Sequence, residues 1–412
     1  MKVLVVGGGG REHALVWKLS QSPRVTEIYC APGNAGTQPR NVNISATDLD
    51  GLLAFALEKK IDFTVVGMDA SLALGIVDLF KENGLRIFGP SKAAAAIESS
   101  KVFAKDLMRK YGIPTARYGA FDDYNDATRY LDGVEFPIVI KADGLALGKG
   151  VVICANRQQA LDALDVIMVR GEFGDSGKQV VIEEFLRGRE ISVFAFCDGK
   201  DVLPFASARD YKRALDGDQG LNTGGMGSIS PCPYYTDELH KYCMERIFLP
   251  TVSAMKAEGR PYTGVLYFGL MDTSDGVKVL EYNARFGDPE TQAVLPRMES
   301  DLLDALEACV DGTLGGVSVK MSQESAVCVI MASSGYPGKY ETGKVIRGLG
   351  KDATVFHAGT KTHGGEVRTN GGRVLGVVGM GGDVDQAARA AYTAVGGITF
   401  DDAHFRKDIG KV

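Results

Sequence analysis

The 412-residue sequence is 45% hydrophobic and 24% charged, with 46 Lys and Arg against 52 Asp and Glu and a net charge of -6. That composition describes an ordinary globular chain of roughly two to four domains and excludes disordered and fibrous classes. No basic stripe suits nucleic acid, and no apolar run is long enough for a signal peptide or a membrane span. The seven cysteines form no Cys-x-x-Cys pair and the five histidines have no metal-ligand spacing, so free thiols in the cytoplasm are expected rather than structural zinc.

Short apolar strands are expected at 2–6, 27–30, 63–67 and 86–88, separated by helical stretches. This is the pattern of an open, mostly parallel sheet with helices on its faces. One helix is expected over 93–111, with Phe103, Leu107 and Tyr111 as its buried stripe and Gly112-Ile-Pro114 as its end. Residues 115–187 read as a small α/β lobe, with strands at 136–141, 150–154 and 179–184 and a helix at 156–169. A strand-rich region follows and includes 277–283. The last part carries strands at 326–332, 354–357 and 373–378 and a helix at 384–395, with Asn370-Gly371 as a hairpin signal. The expected division is 1–101, 102–320 with an inserted lobe at 115–187, and 321–412.

Four segments carry candidate chemistry. Gly7-Gly8-Gly9-Gly10-Arg11-Glu12 joins the first strand to the first helix, and backbone amides there suit a phosphate, with Arg11 as a second contact. A dinucleotide loop is disfavoured, because its third glycine falls on Glu12 and the second strand ends without a ribose-binding acid. Lys141 to Gly150 is a glycine-rich turn that is not a Walker A loop but can fold over nucleotide phosphates, with Lys141 and Lys149 expected to neutralise them; Lys141 closes an apolar strand and wants an anion, whereas Lys149 taken singly reads as a solvated loop lysine. Glu183-Glu184-Phe185-Leu186 ends a strand whose extended backbone could meet an adenine edge, with Glu190 placed for ribose hydroxyls. Glu281 and Asn283 stand two residues apart on a strand, so their oxygens project on one face and suit Mg²⁺.

Together these segments resemble the ATP-grasp superfamily and, within it, the glycinamide ribonucleotide synthetase family. The resemblance runs along the whole chain: Val6-Gly-x-Gly-Gly-Arg-Glu-His-Ala14, Ala31-Pro-Gly-Asn-Ala-Gly36, Lys141-Ala-Asp-Gly, Gly148-Lys-Gly-Val151, Glu183-Glu-Phe-Leu186, Asn222-Thr-Gly-Gly-Met-Gly227, Arg285-Phe-Gly-Asp-Pro-Glu-Thr-Gln292, His357-Ala-Gly-Thr-Lys361, Thr369-Asn-Gly-Gly-Arg-Val374 and Phe405-Arg-Lys-Asp-Ile-Gly410. The family's Gly-Pro-Glu-Ala-Pro-Leu stands here as Gly67-Met-Asp-Ala-Ser-Leu72, and Tyr267-Phe-Gly-Leu270 lacks the second metal-binding acid of many ATP-grasp relatives. The end soon after Lys407-Asp-Ile-Gly410 fits a single-function synthetase.

The resemblance implies an α/β chain: an amino-terminal open parallel sheet, an ATP-grasp fold in two lobes and a small carboxy-terminal α+β lobe. It implies an ATP-dependent ligase that joins glycine to 5-phosphoribosylamine through glycyl phosphate, in purine biosynthesis. Glu281 and Asn283 would hold Mg²⁺ or Mn²⁺, and Lys105, Lys141 and Lys212 would balance phosphate charge. Arg285 and Asp288 are expected to hold the glycine carboxylate and ammonium, and Gly9, Gly10, Arg11 and Arg373 the ribose phosphate. Asp69, at the carboxyl edge of the first sheet, is expected to accept ribose hydroxyls, with helix capping as its alternative. The expected partners are small molecules only, with a monomer or weak homodimer. An NAD-linked oxidoreductase, a ligase for another amine and a non-catalytic nucleotide-binding module are the rival readings.

Overall fold

The computed structural model describes residues 1–38, 40–146, 150–350 and 353–411. The amino-terminal sheet is parallel, in the order Glu27–Pro32, Lys2–Gly7, Phe63–Val66 and Ile87–Phe88. Val3, Leu4, Val5 and Val6 have no exposed surface, because helices cover both faces of a parallel sheet. Burying such aliphatic side chains is worth about 1.5–3 kcal/mol each, which anchors the turn that follows the first strand.

The expected helix over 93–111 is two helices, Lys92–Ser99 and Lys101–Lys110. Ser100 leaves helical geometry at φ -136° and ψ 110°, and its Oγ accepts the Phe103 amide at 3.1 Å. The same hydroxyl lies 3.1 Å from Asp143, whose carboxylate also accepts the Val102 amide at 2.7 Å. The second helix buries Ala104, Lys105, Leu107 and Met108, so Phe103 stands at the edge of the stripe rather than within it.

A four-stranded antiparallel sheet, in the order Tyr118–Phe121, Val180–Glu184, Ile138–Ala142 and Val151–Cys154, forms a separate lobe. It has its own core, including Ile138, Ile140, Ala160, Leu164 and Ile182.

The largest sheet of the described residues runs Gly276–Asn283, Thr263–Thr273, Arg189–Asp198, Val202–Asp210, Gly227–Ser230, Ser325–Ser333, Arg373–Gly381, Thr354–His357, with Ala403–His404 paired beside Ser325–Ser333. The carboxy-terminal strands therefore continue the central sheet, because Gly227–Ser230 pairs with Ser325–Ser333. Asn370-Gly371 does not turn a hairpin; it links Glu366–Thr369 of a two-stranded ribbon to Arg373–Gly381 of the large sheet. The ribbon's hairpin turns at Gly364 and Gly365, whose φ of 59° and 79° suit a two-residue turn. His357 at the end of Thr354–His357 donates its amide to His13 Nδ1 at 2.8 Å, joining the last lobe to the first helix.

Candidate functional site

The strand Gly276–Asn283 lines the cleft between the central sheet and the smaller lobe. Its Tyr282 is buried and bonds Thr251 through its hydroxyl at 2.9 Å, which turns the flanking Glu281 and Asn283 to the opposite face. Burial raises the Glu281 carboxyl, but Lys212, Lys141, Lys101 and Arg285 outweigh it and hold it below its ordinary value. A carboxylate and an amide oxygen surrounded by four cations suit a hard divalent ion that is shared with phosphate. Among the described residues no group of three or more His, Cys, Asp or Glu side chains has a metal-holding arrangement, so such an ion would need ligands from outside the protein.

The buried Glu183 organises two of these cations. Its Oε2 lies 3.0 Å from Lys105 Nζ and its Oε1 3.0 Å from Lys141 Nζ. Lys105 also donates to Thr115 at 2.8 Å, and burial pushes it down to about 8 against the pull of Glu183. Lys141 reaches Leu280 O at 3.3 Å, next to the metal-type pair. Glu183 is thus a positioning carboxylate for the lysines. Glu184 turns the other way, to Arg117 at 2.7 Å and Lys278 at 3.2 Å; burial opposes ionisation, yet those partners bring it down to about 2. Phe185 and Leu186 are half-buried between Val180–Glu184 and Arg189–Asp198. Glu190 is bound by Lys212 at 2.8 Å. Lys149 lies outside the described residues. Lys101 was not among the expected residues; its Nζ bonds Gly144 O at 3.0 Å, at the same cleft.

In the glycine-rich turn, Glu12 folds back into the loop. Its Oε2 accepts the Gly9 amide at 2.6 Å and its Oε1 holds Arg11 Nε at 2.6 Å. A methyl group at Gly7 or Gly67 would fall 2.5 Å and 2.2 Å from Glu12, so both positions must lack a side chain. Asn34 locks the same turn through Gly8 O at 3.0 Å and His357 O at 2.8 Å. Arg11 is buried and also donates to Phe286 O at 3.1 Å. The Gly9 amide and Arg11, expected to face a phosphate, are therefore engaged within the protein, while Gly10 opens the helix Gly10–Leu19.

Arg285 pairs with Glu98 at 2.9 Å and reaches Asp69 at 3.7 Å, and its buried Nε has no hydrogen-bond partner. Glu98, which also accepts the Ala284 amide at 2.7 Å, was not anticipated. Asp69 is the first residue of the helix Asp69–Leu74, not its N-cap, and its Oδ1 accepts the Ala70 amide at 2.7 Å. Asp288, expected to meet an ammonium, already has Arg373 Nη1 at 3.2 Å and a hydrogen bond from Gln292 at 3.0 Å. Burial raises its carboxyl, but Arg373 and Arg11 bring it below its ordinary value. Arg373 Nη1 also donates to Gly224 O at 2.5 Å and Asp288 O at 2.9 Å, tying the last lobe to the Asn222–Gly227 turn.

Models of the phosphoribosylglycinamide synthetase N, ATP-grasp (A) and C domains match residues 1–98, 99–291 and 326–412. The phosphoribosylamine–glycine ligase of Caldanaerobacter subterraneus subsp. tengcongensis is 52% identical over 413 residues, covering 99% of each chain. That of Ralstonia nicotianae is 52% identical over 416 residues, covering 100% of this chain and 99% of its own. The crystal structure of phosphoribosylamine–glycine ligase from Thermotoga maritima superposes with a TM-score of 0.87 at 34% identity, covering 99% of this chain and 100% of that one. The biotin carboxylase domain of Hydrogenobacter thermophilus 2-oxoglutarate carboxylase shares the fold, with a TM-score of 0.75 at 15% identity over 98% of this chain and 91% of that one.

Proposed function

The chain belongs to the phosphoribosylglycinamide synthetase family, and from that premise we propose how its residues carry out the family's ligation. The reaction is 5-phosphoribosylamine + glycine + ATP → glycinamide ribonucleotide + ADP + phosphate, a carbon–nitrogen ligation in purine biosynthesis. A carboxylate is a poor acyl donor. A glycine carboxylate oxygen therefore attacks the γ-phosphorus, the bond to the β–γ bridging oxygen breaks, and ADP leaves. The amine of phosphoribosylamine then attacks the carbonyl carbon of glycyl phosphate, and phosphate departs with its bridging oxygen as the nitrogen loses a proton.

Phosphoryl transfer depends on positioning and charge neutralisation, so no nucleophilic side chain is needed. The observation that carries the reading is Glu281 beside Asn283, faced by Lys101, Lys141, Lys212 and Arg285. Magnesium held by Glu281 and Asn283 would supply charge neutralisation between the phosphates. Lys105 and Lys141, held ready by Glu183, meet the phosphates, and Lys212 faces the transferred group. The Glu184-Phe185-Leu186 segment meets adenine and Glu190 the ribose. The unpartnered Nε of Arg285 suits the glycine carboxylate. Gly10 at the start of its helix, with Gly9 and Arg11 shaping the turn and Arg373 approaching from the last lobe, receives the ribose phosphate, and Asp69 its hydroxyls. The smaller lobe closes over the cleft, since an acyl phosphate hydrolyses in water. The seven buried free cysteines support a reducing, cytoplasmic location, and a monomer or weak homodimer is the proposed state.

ADP release with glycine, measured with and without phosphoribosylamine, tests this reading. Turnover that requires both substrates is expected. Equal turnover with an unrelated amine would overturn it.

A further inference from the structure

The ribbon of Arg213–Leu215 and Gln219–Asn222 follows directly on Lys212 and has almost no core of its own. Of residues 213–222 only Ala214 is buried, and Leu215 and Leu221 are exposed. A two-stranded hairpin without an apolar face is marginal in water, so its anchor must lie elsewhere. Among the described residues, the hydrogen bonds that leave the ribbon all end on residues 404–408. His404 Nε2 lies 2.8 Å from Ala214 O, the Lys407 amide donates to Asp216 at 2.7 Å, and the Gly217 amide donates to Asp408 at 2.8 Å.

The centre of this clasp is Arg406, whose side chain is 1% exposed. Its Nε and Nη2 donate to the two oxygens of Asp408 at 2.7 Å each, and its Nη1 donates to Arg213 O at 3.1 Å and Asp218 at 2.8 Å. Only a planar fork reaches a carboxylate and two further acceptors at once. The bonds from Arg406, working against burial, bring the Asp408 carboxyl down to about 2.

The same segment grips the residue before Lys212. The Tyr211 hydroxyl accepts the Gly410 amide at 3.2 Å and donates to Lys411 O at 3.1 Å, and the Arg406 guanidinium carbon stands 5.2 Å from the centre of the Tyr211 ring. Across the base of the ribbon, Lys212 O accepts both the amide and the hydroxyl of Thr223 at 2.8 Å. Lys212 is thus held at its own carbonyl and on either side, while its ammonium lies 2.8 Å from Glu190. Burial raises the Glu281 carboxyl, and Lys212 is the foremost of the cations that oppose it.

We propose that Arg406 is a positioning residue for phosphoryl transfer, clasping the 213–222 ribbon so that Lys212 keeps its place facing Glu281. This rests on the ligase reading above, in which Lys212 faces the transferred group. Arg406 itself touches no substrate; the last lobe serves the chemistry through the backbone of its neighbour. Neutralising a transferred phosphoryl group depends on placement, and a displacement of about 1 Å costs about a hundredfold in rate. A loosened ribbon keeps the lysine but spreads its ammonium over several positions.

The test compares Arg406→Met, Arg406→Lys and the double variant Asp216→Ala with Asp218→Gly against the wild type in steady state, after the wild type has been shown to need glycine and phosphoribosylamine. A wild type without that requirement overturns the ligase reading, and the proposal falls with it. With the requirement in place, kcat is expected to fall about a hundredfold in Arg406→Met and about tenfold in the double variant, while the KM values for all three substrates stay within about twofold. Arg406→Lys keeps the charge without the fork and is expected to fall between Arg406→Met and the wild type. Asp216 and Asp218 are exposed, and glycine accepts the φ of 54° at residue 218, so the double variant is expected to melt as the wild type does. It decides the matter if Arg406→Met does not fold. In a Lys212→Gln background the same double substitution is expected to change kcat by less than about twofold, because the clasp has no lysine left to place. If that background turns over too slowly to measure, the kcat and KM comparison decides alone. An unchanged kcat in the folded double variant, a KM rise that matches the kcat loss, or a further full tenfold loss in the Lys212→Gln background would each overturn the proposal.

Discussion

Arg285 Nη2 lies 2.9 Å from Glu98 Oε1, so one edge of its guanidinium is fixed by the protein while its Nε is left without a partner. A lysine can keep one contact of this kind but cannot reproduce a planar fork. Arg285→Lys is expected to raise the glycine KM at least about tenfold and to leave ATP affinity within about twofold. An equal loss of ATP affinity would mark Arg285 as a phosphate ligand instead.

Glu281→Gln keeps the size of the side chain and removes the charge that balances Lys212, Lys141, Lys101 and Arg285. Turnover at limiting Mg²⁺ is expected to fall about a hundredfold or more, with melting shifted by only a few degrees. Wild-type turnover under those conditions would remove Glu281 from the metal site.

Asp69→Asn separates substrate binding from local helix geometry. Asp69 Oδ1 holds the Ala70 amide at 2.7 Å, a bond that an asparagine oxygen also makes. The expected result is an unchanged melting temperature and a phosphoribosylamine KM raised about tenfold. Unchanged kinetics would leave Asp69 with its helix and nothing more.

The His13–His357 contact makes the junction of the first and last lobes acid-sensitive. Burial lowers His13 to about 3, with repulsion from His357 adding to it, and burial lowers His357 to about 4. An unfolded chain protonates near 6.5, so below that pH it takes up protons that the folded rings refuse. Stability present above about pH 6.5 should be lost as pH falls toward 4, by up to about 1.4 kcal/mol per unit for each ring. Urea midpoints measured across that range should fall less steeply for His13→Asn than for the wild type. Parallel slopes would assign the acid sensitivity to other groups.

The shared face of Glu281 and Asn283 was legible because strand alternation is a property of three adjacent residues. The parallel first sheet was legible for a similar reason, since Val3 to Val6 are apolar on both faces. What stayed hidden depends on partners distant in sequence. Ser100 is tolerated within a helix pattern, and the break there is fixed by Asp143, 43 residues away. Glu183 looked like part of a nucleotide hinge because nothing local announces its two lysines. The Asn370-Gly371 signal failed because turn chemistry alone does not choose the partner strand; Gly364-Gly365 supplies the hairpin instead.

The continuous central sheet limits how the chain can be shortened. Gly227–Ser230 is fully buried, and Ser325–Ser333 covers one of its edges along four paired residues. A chain cut near residue 320 would present that edge, and the buried face behind it, to solvent. Unpaired strand edges with apolar faces recruit other chains. The shortened protein should therefore collect as aggregate rather than persist as a smaller ATP-binding unit. In this chain the last domain acts as a seam for its neighbour, so the two hold their fold as one piece.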